Sequence, residues 1–178
     1  MSDVAVIGAG AWGTSLSIVL GRKGTHRVRL WGHEPEVRES ISSRRVNELF
    51  LPGQTIPDSV SATGSLEEAL HGAEIVVSVM PSQHCRALFQ SMRGFLKPSM
   101  LLVSATKGLE EGSLLRMTEV ISGVLGSHGG FEPRVGALSG PTFAREVARG
   151  DPTAITVASA DTELAETVPR QVLPGITM

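Results

Sequence analysis

The sequence predicts an α/β fold, a mainly parallel, doubly wound sheet with helices on both of its faces. One observation behind this is that short apolar runs alternate with helix-like runs along the chain. A second is that residues 74–80 (EIVVSVM) are apolar enough for burial on both faces, as in a parallel sheet. The 178 residues suffice for one domain with its own core and are too few for two large ones, so we expect residues 1–178 to form one domain.

The first elements follow from apolar periodicity and from helix start and stop signals. Residues 44–61 contain Pro52, Gly53 and Pro57 without clean periodicity, and they are predicted to form a long loop with room for one helical turn. Ser65 is predicted to cap a short helix that runs to residue 71. Before these come, in order, a strand at 4–7, a helix continuing over 15–22, a strand at 28–31 and a helix at 36–43.

The second half of the chain keeps the same alternation. Thr142 follows a Gly-Pro break and is predicted to cap a helix. The predicted elements are a strand at 74–80, a helix at 83–95, a strand at 100–105, a helix at about 113–125, a loop at 126–133, a strand at 135–139, a helix at 143–149, a strand at 153–159 and a last helix at 164–173.

Composition excludes several classes of partner. A net charge of −2 gives no overall basic field for nucleic acid or an anionic membrane. No apolar run approaches the roughly 20 residues that span a bilayer, and the first strand begins too early to leave room for a signal peptide. Cys85 is the only cysteine, so no internal disulfide is possible, and we interpret it as a small buried thiol. The five histidines lack the spacing of a zinc site, so no metal is predicted. From the single cysteine and from the absence of a signal peptide and of a long apolar run, we expect a cytoplasmic protein.

Three glycines stand between the first strand and its helix, in the run Val4–Thr14 (VAVIGAGAWGT). In the Rossmann-like arrangement Gly8 permits the tight turn, Gly10 lets the backbone approach a pyrophosphate, and Gly13 lets helix and strand pack closely. Ala11 and Trp12 then lie beside the phosphates, at a helix start whose amides and dipole favour an anion. A glycine-rich turn also occurs for steric reasons only, but the strand before it and the helix after it favour a dinucleotide cofactor.

The end of the second strand bears on which dinucleotide is bound. A free ribose 2′-hydroxyl is usually met by an acidic residue at this place, whereas a 2′-phosphate needs a cation or a neutral donor. Here His33 occupies the expected position, with Arg38, Arg44 and Arg45 downstream, so NADP(H) is favoured. Glu34 keeps NAD(H) open, and a plain surface histidine is the alternative for His33.

Three further strand ends carry candidate residues. Pro81 bends the chain away from its strand, and we expect it beside the nicotinamide ribose, although strand termination alone also explains it. Lys107, followed by a glycine, can aim its ammonium at a phosphate or carbonyl oxygen, or it is simply solvated. Gly140 and the amides near Thr142 form a candidate anion-binding corner, for which plain helix capping is the alternative. Together with the glycine loop and the segment of His33, these three strand ends make five places, all predicted to leave the same edge of the sheet.

Six motifs in this order closely resemble one known family: GAGAWGT, LWGHEPE, FLPG, MPSQ, SATKGLE and LSGPTFAREVARGDPTA. The family is the bacterial-type NAD(P)-dependent glycerol-3-phosphate dehydrogenase, and the resemblance covers its amino-terminal half, from residue 4 to about 159. It implies reversible NAD(P)H-dependent reduction of dihydroxyacetone phosphate to sn-glycerol 3-phosphate, which supplies phospholipid synthesis in the cytoplasm. It also implies that the full-length enzyme is a homodimer.

The resemblance assigns roles residue by residue. Cofactor contacts are implied at Ala11, Trp12, His33, Lys107 and Ala144, and substrate contacts at Lys107, Gly140 and Thr142.

The family's second, helical domain brings the lysine that acts as general acid/base, and that domain is missing here, so no catalytic residue is expected in this chain. We therefore expect cofactor binding without turnover. The rival interpretations are a non-catalytic nucleotide-binding or redox-sensing module and a related dehydrogenase of hydroxy acids or nucleotide sugars, against which SATKGLE and SGPTFA argue.

Overall fold

The computed structural model describes residues 1–22, 24–128 and 131–172. Over these residues, strands and helices alternate as the sequence predicts, except that three strands follow one another between the second and the third helix. The elements are β1 (Ser2–Ile7), α1 (Ala11–Arg22), β2 (His26–Trp31), α2 (Pro35–Arg44), β3 (Val46–Asn47), β4 (Leu51–Thr55), β5 (Val60–Thr63), α3 (Leu66–Leu70), β6 (Ile75–Ser78), α4 (Ser82–Met92), β7 (Leu101–Ser104), α5 (Met117–His128), β8 (Arg134–Ser139), α6 (Ala144–Arg149), β9 (Thr156–Ser159) and α7 (Thr162–Val172).

Seven of the strands form one sheet in the order β5-β2-β1-β6-β7-β8-β9. All neighbours pair in parallel except β8 and β9, which are antiparallel. The chain winds outward from β1 through β2 to β5, returns to the middle at β6 and then winds the other way. This is the predicted doubly wound topology, and its direction reverses between β1 and β6, where ligands bind in such sheets.

Alternate residues of each strand feed two separate cores. Val4 and Val6 of β1 pack in a core with side chains of α1, α2, α6 and α7. Ala5 and Ile7 face the opposite core, which contains side chains of α3, α4 and α5. Because side chains of a strand alternate between the faces, this division confirms the prediction of helices on both faces.

The prediction of a long loop at 44–61 is wrong. It contains an antiparallel hairpin, β3 and β4, and it runs into the start of β5. Polar contacts hold the hairpin, including a bond from the Ser40 hydroxyl to the Val46 carbonyl at 2.9 Å. The strands are two and five residues long, and β4 includes Pro52 and a Gly53 with φ of 75°, so apolar periodicity gave no signal of them.

Helix ends show both the successes and the errors of the predictions. Ser65 caps α3 as expected, since its hydroxyl oxygen accepts the Glu68 amide at 3.2 Å. Thr142 does not cap α6, because the N-cap position is taken by Phe143, which has no side-chain cap bond. Helix α5 starts at Met117 rather than near 113 and extends to 128, into the predicted loop at 126–133. Residues 129, 130 and 173 lie outside the described residues.

Cys85 is buried, as the sequence suggested, on the core side of α4. Its burial raises the pKa of the thiol to about 11, with a further contribution from the charge of Glu110. The thiol is therefore neutral at ordinary pH and poorly suited to act as a nucleophile. Among the described helices, none combines the length and the apolar character that crossing a bilayer requires.

Candidate functional site

The carboxyl ends of β1, β6, β7 and β8 meet at one edge of the sheet, where the predicted site residues lie. The parallel register of β1 and β6 places Ile7 opposite Ser78, and the Val79 amide donates to the Ile7 carbonyl at 2.8 Å. The Met80 amide donates to the Thr106 hydroxyl at 3.2 Å and so joins the ends of β6 and β7. Pro81, which is exposed, follows this junction as the N-cap of α4.

The three motif glycines differ in what requires them. Gly8 has φ of 124°, and a Cβ there would lie 2.0 Å from the Val79 carbonyl oxygen. A Cβ on Gly13 would lie 1.8 Å from the Gly8 carbonyl oxygen. A Cβ on Gly10 would meet no atom of the described chain within 4 Å. The packing of the protein therefore accounts for Gly8 and Gly13, whereas the space over Gly10 is open to a ligand.

Helix α1 begins with amides that have no backbone partner. The Thr14 amide donates to the Gly10 carbonyl at 2.9 Å, but within residues 1–22, 24–128 and 131–172 the amides of Gly10, Ala11, Trp12 and Gly13 donate to no backbone carbonyl. These N–H groups stand at the positive end of a 12-residue helix. This arrangement favours a phosphate, and so it fits the dinucleotide that the glycine pattern predicts.

Lys107 joins three of the predicted segments. Its Nζ donates to the Gly140 carbonyl and to the Thr142 hydroxyl, each at 3.3 Å. The same ammonium lies 6.0 Å from the centre of the Trp12 ring, within the range of a cation–π contact. No carboxylate of the described residues forms a salt bridge with it. The glycine loop, the β7 end and the β8 end thus meet around one exposed, uncompensated positive charge.

The corner at Gly140 differs from the prediction. A Cβ on Gly140 would lie 2.3 Å from the Ala154 carbonyl oxygen, so packing against the segment just before β9 requires glycine. The Thr142 amide is not free for an anion, because it donates to the Gly140 carbonyl at 2.9 Å. Its hydroxyl, which accepts from Lys107, is the group that faces the site.

Ala144 is held close to the glycine loop's helix. The Ser15 hydroxyl of α1 donates to the Ala144 carbonyl at 2.8 Å, although 129 residues separate the two in sequence. The start of α6 therefore packs beside the start of α1, as a cofactor contact at Ala144 requires.

At the end of β2, one of the three candidate arginines is in place. Arg38 donates from Nη1 to the carbonyls of Gly32 and His33 at 2.8 and 2.7 Å. His33 is exposed, with its ring centre 6.4 Å from that of Trp31.

The other two arginines serve the hairpin region instead. Arg44 donates to the Ser40 hydroxyl, and Arg45 donates to carbonyls between 56 and 60 and forms a salt bridge with Asp58.

One site residue escaped the sequence prediction. Asn47 is fully buried and bonded to the glycine loop, where its Nδ2 donates to the Ala9 carbonyl at 2.9 Å. Because 44–61 was predicted to be a loop, nothing connected Asn47 with Ala9, 38 residues earlier in the chain. In the sequence, only its position three residues before the FLPG motif sets this asparagine apart.

A groove of about 1220 Å³ opens beside Lys107 and runs along β8 and β9. No residue of the glycine loop lines it. In the part of the chain that the structure describes, no group of three or more His, Cys, Asp or Glu residues could hold a metal ion.

Comparison with known proteins identifies the family. Residues 3–165 match the model described as NAD-dependent glycerol-3-phosphate dehydrogenase N-terminus. The chain belongs to this family. It is 61% identical, over 168 residues, to a glycerol-3-phosphate dehydrogenase [NAD(P)+] of Koribacter versatilis, covering 94% of this chain and 49% of that relative. A relative of the same description from Acidobacterium capsulatum is 46% identical, with 93% and 49% covered.

Solved structures agree with the family assignment. The glycerol-3-phosphate dehydrogenase of Coxiella burnetii superposes with a TM-score of 0.86 at 30% identity, covering 97% of this chain and 51% of that one. A UDP-glucose dehydrogenase from Pyrobaculum islandicum gives a TM-score of 0.73 at 18% identity, which shows a shared fold alone. The chain thus spans about half the length of the family members it matches, and the resemblance to the amino-terminal half is confirmed.

Proposed function

We propose that residues 1–178 form the cofactor-binding domain of a cytoplasmic, homodimeric enzyme that reversibly reduces dihydroxyacetone phosphate to sn-glycerol 3-phosphate with NAD(P)H, for phospholipid synthesis. The observation that carries this proposal is the position of Lys107. Its ammonium contacts Gly140 and Thr142 and lies over Trp12, so one positive charge lies beside both the glycine loop and the end of β8.

The dinucleotide lies across the ends of β1 and β6 in this proposal. Its pyrophosphate takes the unpaired amides from Gly10 to Gly13, in the open space over Gly10. Trp12 and Ala144 flank the same helix start, and Pro81 stands at the end of β6, beside the nicotinamide ribose.

The end of β2 favours NADP(H) over NAD(H). His33 is exposed there, and Arg38 is fixed beside it by two carbonyl contacts and forms no salt bridge with a described carboxylate. A cation and a hydrogen-bonding ring suit a 2′-phosphate. His33→Asp should weaken NADPH more than NADH, because the new carboxylate repels that phosphate. Dissociation constants measured for both dinucleotides check this, and a wild-type preference for NADH would overturn the assignment.

The chemistry divides between this domain and the rest of the enzyme. When bound, the nicotinamide supplies a hydride to the substrate ketone. Lys107 holds a positive charge beside the Thr142 hydroxyl, where it steadies the substrate's phosphate or polarises its carbonyl oxygen. The proton for the new hydroxyl comes from a residue outside this chain, in line with the family resemblance. Residues 1–178 alone are therefore expected to bind the cofactor and to turn over little or no substrate.

The test measures binding and turnover on the same preparation. NADPH binding is followed by fluorescence, and NADPH consumption with dihydroxyacetone phosphate is followed by absorbance. We expect saturable binding and no consumption. Rapid substrate-dependent consumption would show that this chain carries its own proton donor, whereas a folded chain without binding would remove the cofactor assignment.

A further inference from the structure

The β3–β4 hairpin is bonded to the glycine loop through one side chain, that of Asn47. Its Nδ2 donates to the Ala9 carbonyl at 2.9 Å and to the Thr14 hydroxyl at 2.8 Å, and its Oδ1 accepts the Phe50 amide at 3.1 Å. The Thr14 hydroxyl in turn donates to the Ala9 carbonyl at 3.3 Å. Both Asn47 and Thr14 are 0% exposed, so the bonds among Asn47, Thr14 and Ala9 are buried.

This network fixes one peptide plane of the glycine loop. A trans peptide is planar, and its C=O and N–H point in opposite directions. Two donors hold the Ala9 carbonyl toward the interior, where Ala9 itself is only 4% exposed. The N–H of the same peptide belongs to Gly10, and it must therefore point the other way, out of that interior. Within the described residues it donates to no backbone carbonyl.

We propose that Asn47 is a positioning residue that holds the Ala9–Gly10 peptide so that the Gly10 amide faces the dinucleotide pyrophosphate. This inference rests on the proposed cofactor site. Asparagine suits the task because its amide group supplies two donors and an acceptor, and all three partners are present. An aspartate of the same shape keeps the acceptor for Phe50 but loses both donors, and it places a charge against the Ala9 carbonyl.

Asn47→Ala and Asn47→Asp test the proposal, with Ser40→Ala as the matched control. Ser40 is 6% exposed and also holds the hairpin, by donating to the Val46 carbonyl, but it does not touch the glycine loop. We expect both Asn47 variants to bind NADPH about tenfold or more weakly than the wild-type chain, because the Gly10 amide is no longer held in place. Ser40→Ala should bind within about twofold of wild type. Thermal unfolding identifies any variant that is not folded.

A nuclear magnetic resonance measurement observes the Gly10 amide directly, in the wild-type chain and in the variants. The Gly10 amide resonance should shift strongly at NADPH saturation, and in a folded Asn47 variant this shift should shrink while it persists in Ser40→Ala. A saturated wild type whose Gly10 amide does not respond, or an Asn47→Asp variant with wild-type affinity, would overturn the role of Asn47. Failure of the wild-type chain to bind NADPH at all would instead overturn the proposed function.

Discussion

Alanine at Gly10 and at Gly13 separates the two reasons for which glycine occurs in the loop after β1. Gly13 is required by packing, since a Cβ there would lie 1.8 Å from the Gly8 carbonyl oxygen. Gly10 has no such neighbour among the described residues, and its φ is not positive. The two substitutions add the same methyl group three residues apart and should have opposite effects on stability.

The contact distances set the size of each effect. Ordinary contact begins near 3.4 Å, so the Gly13→Ala methyl must displace backbone rather than a flexible side chain. Overpacking of this kind costs about 1–3 kcal/mol, and a backbone obstacle puts it toward the upper end. The better helix propensity of alanine offsets at most about 1 kcal/mol of this loss in stability. We therefore expect a net loss of about 2 kcal/mol, or roughly 4–8 °C in Tm.

Gly10→Ala should leave the fold intact and damage the site. At a compatible backbone position, glycine to alanine stabilises by about 0.4–1 kcal/mol, because the unfolded chain loses freedom. The new methyl projects into the open space where the proposed pyrophosphate approaches. NADPH affinity should therefore fall by at least about tenfold while Tm stays the same or rises.

The assay is thermal unfolding of each variant followed by an NADPH titration at a temperature where it is folded. A Gly10→Ala variant that is stable and binds NADPH like wild type would refute the ligand explanation for Gly10. A Gly13→Ala variant with an unchanged Tm would refute the steric argument.

Three further predictions concern single side chains. Lys107→Met removes an exposed charge, so NADPH affinity should fall roughly tenfold with Tm unchanged, and an unchanged Kd would contradict its role. Cys85 should react with a thiol reagent at pH 8 far more slowly in the folded chain than in denaturant, because burial raises its pKa to about 11; equal rates would contradict this. Hydrogen bonds from the Arg134 side chain, first, and from the Leu164 amide lower the pKa of Asp161 from 3.8 to about 2, so these contacts stabilise the fold above pH 3.8 and lose their effect as pH falls toward 2. The Tm advantage of wild type over Asp161→Asn should therefore shrink over that interval, and a constant difference would count against the ion pair.

The sheet and its glycine loop could be predicted because their signals are local. The apolar run of β6 predicts a buried strand, and Gly8 and Gly13 lie next to the strand and the helix whose close packing requires glycine. The parallel strands β1, β2, β6, β7 and β8 all end at the same edge of the sheet, so the sequence predicts that the segments of Lys107 and Thr142 leave that edge together, and the two side chains are in contact there.

The errors have long-range causes. The β3–β4 hairpin depends on bonds such as that from Asn47 to Ala9, which no local pattern reports. Thr142 has the residue type of a helix cap, but its hydroxyl accepts from Lys107, 35 residues away, and α6 begins two residues later. The ligand contacts assigned to the predicted site residues, His33 and Pro81 among them, stay predictions, because exposure and position alone do not assign a ligand.

The most direct measurement is a fluorescence titration of the wild-type chain with NADPH. Trp12 and Trp31 are its only tryptophans, and they lie at the glycine loop and at the end of β2, so a dinucleotide bound across these places must affect both. We predict saturable quenching with one NADPH per chain and a weaker response to NADH. A folded chain whose fluorescence shows no saturable change with either dinucleotide would contradict the proposed cofactor site.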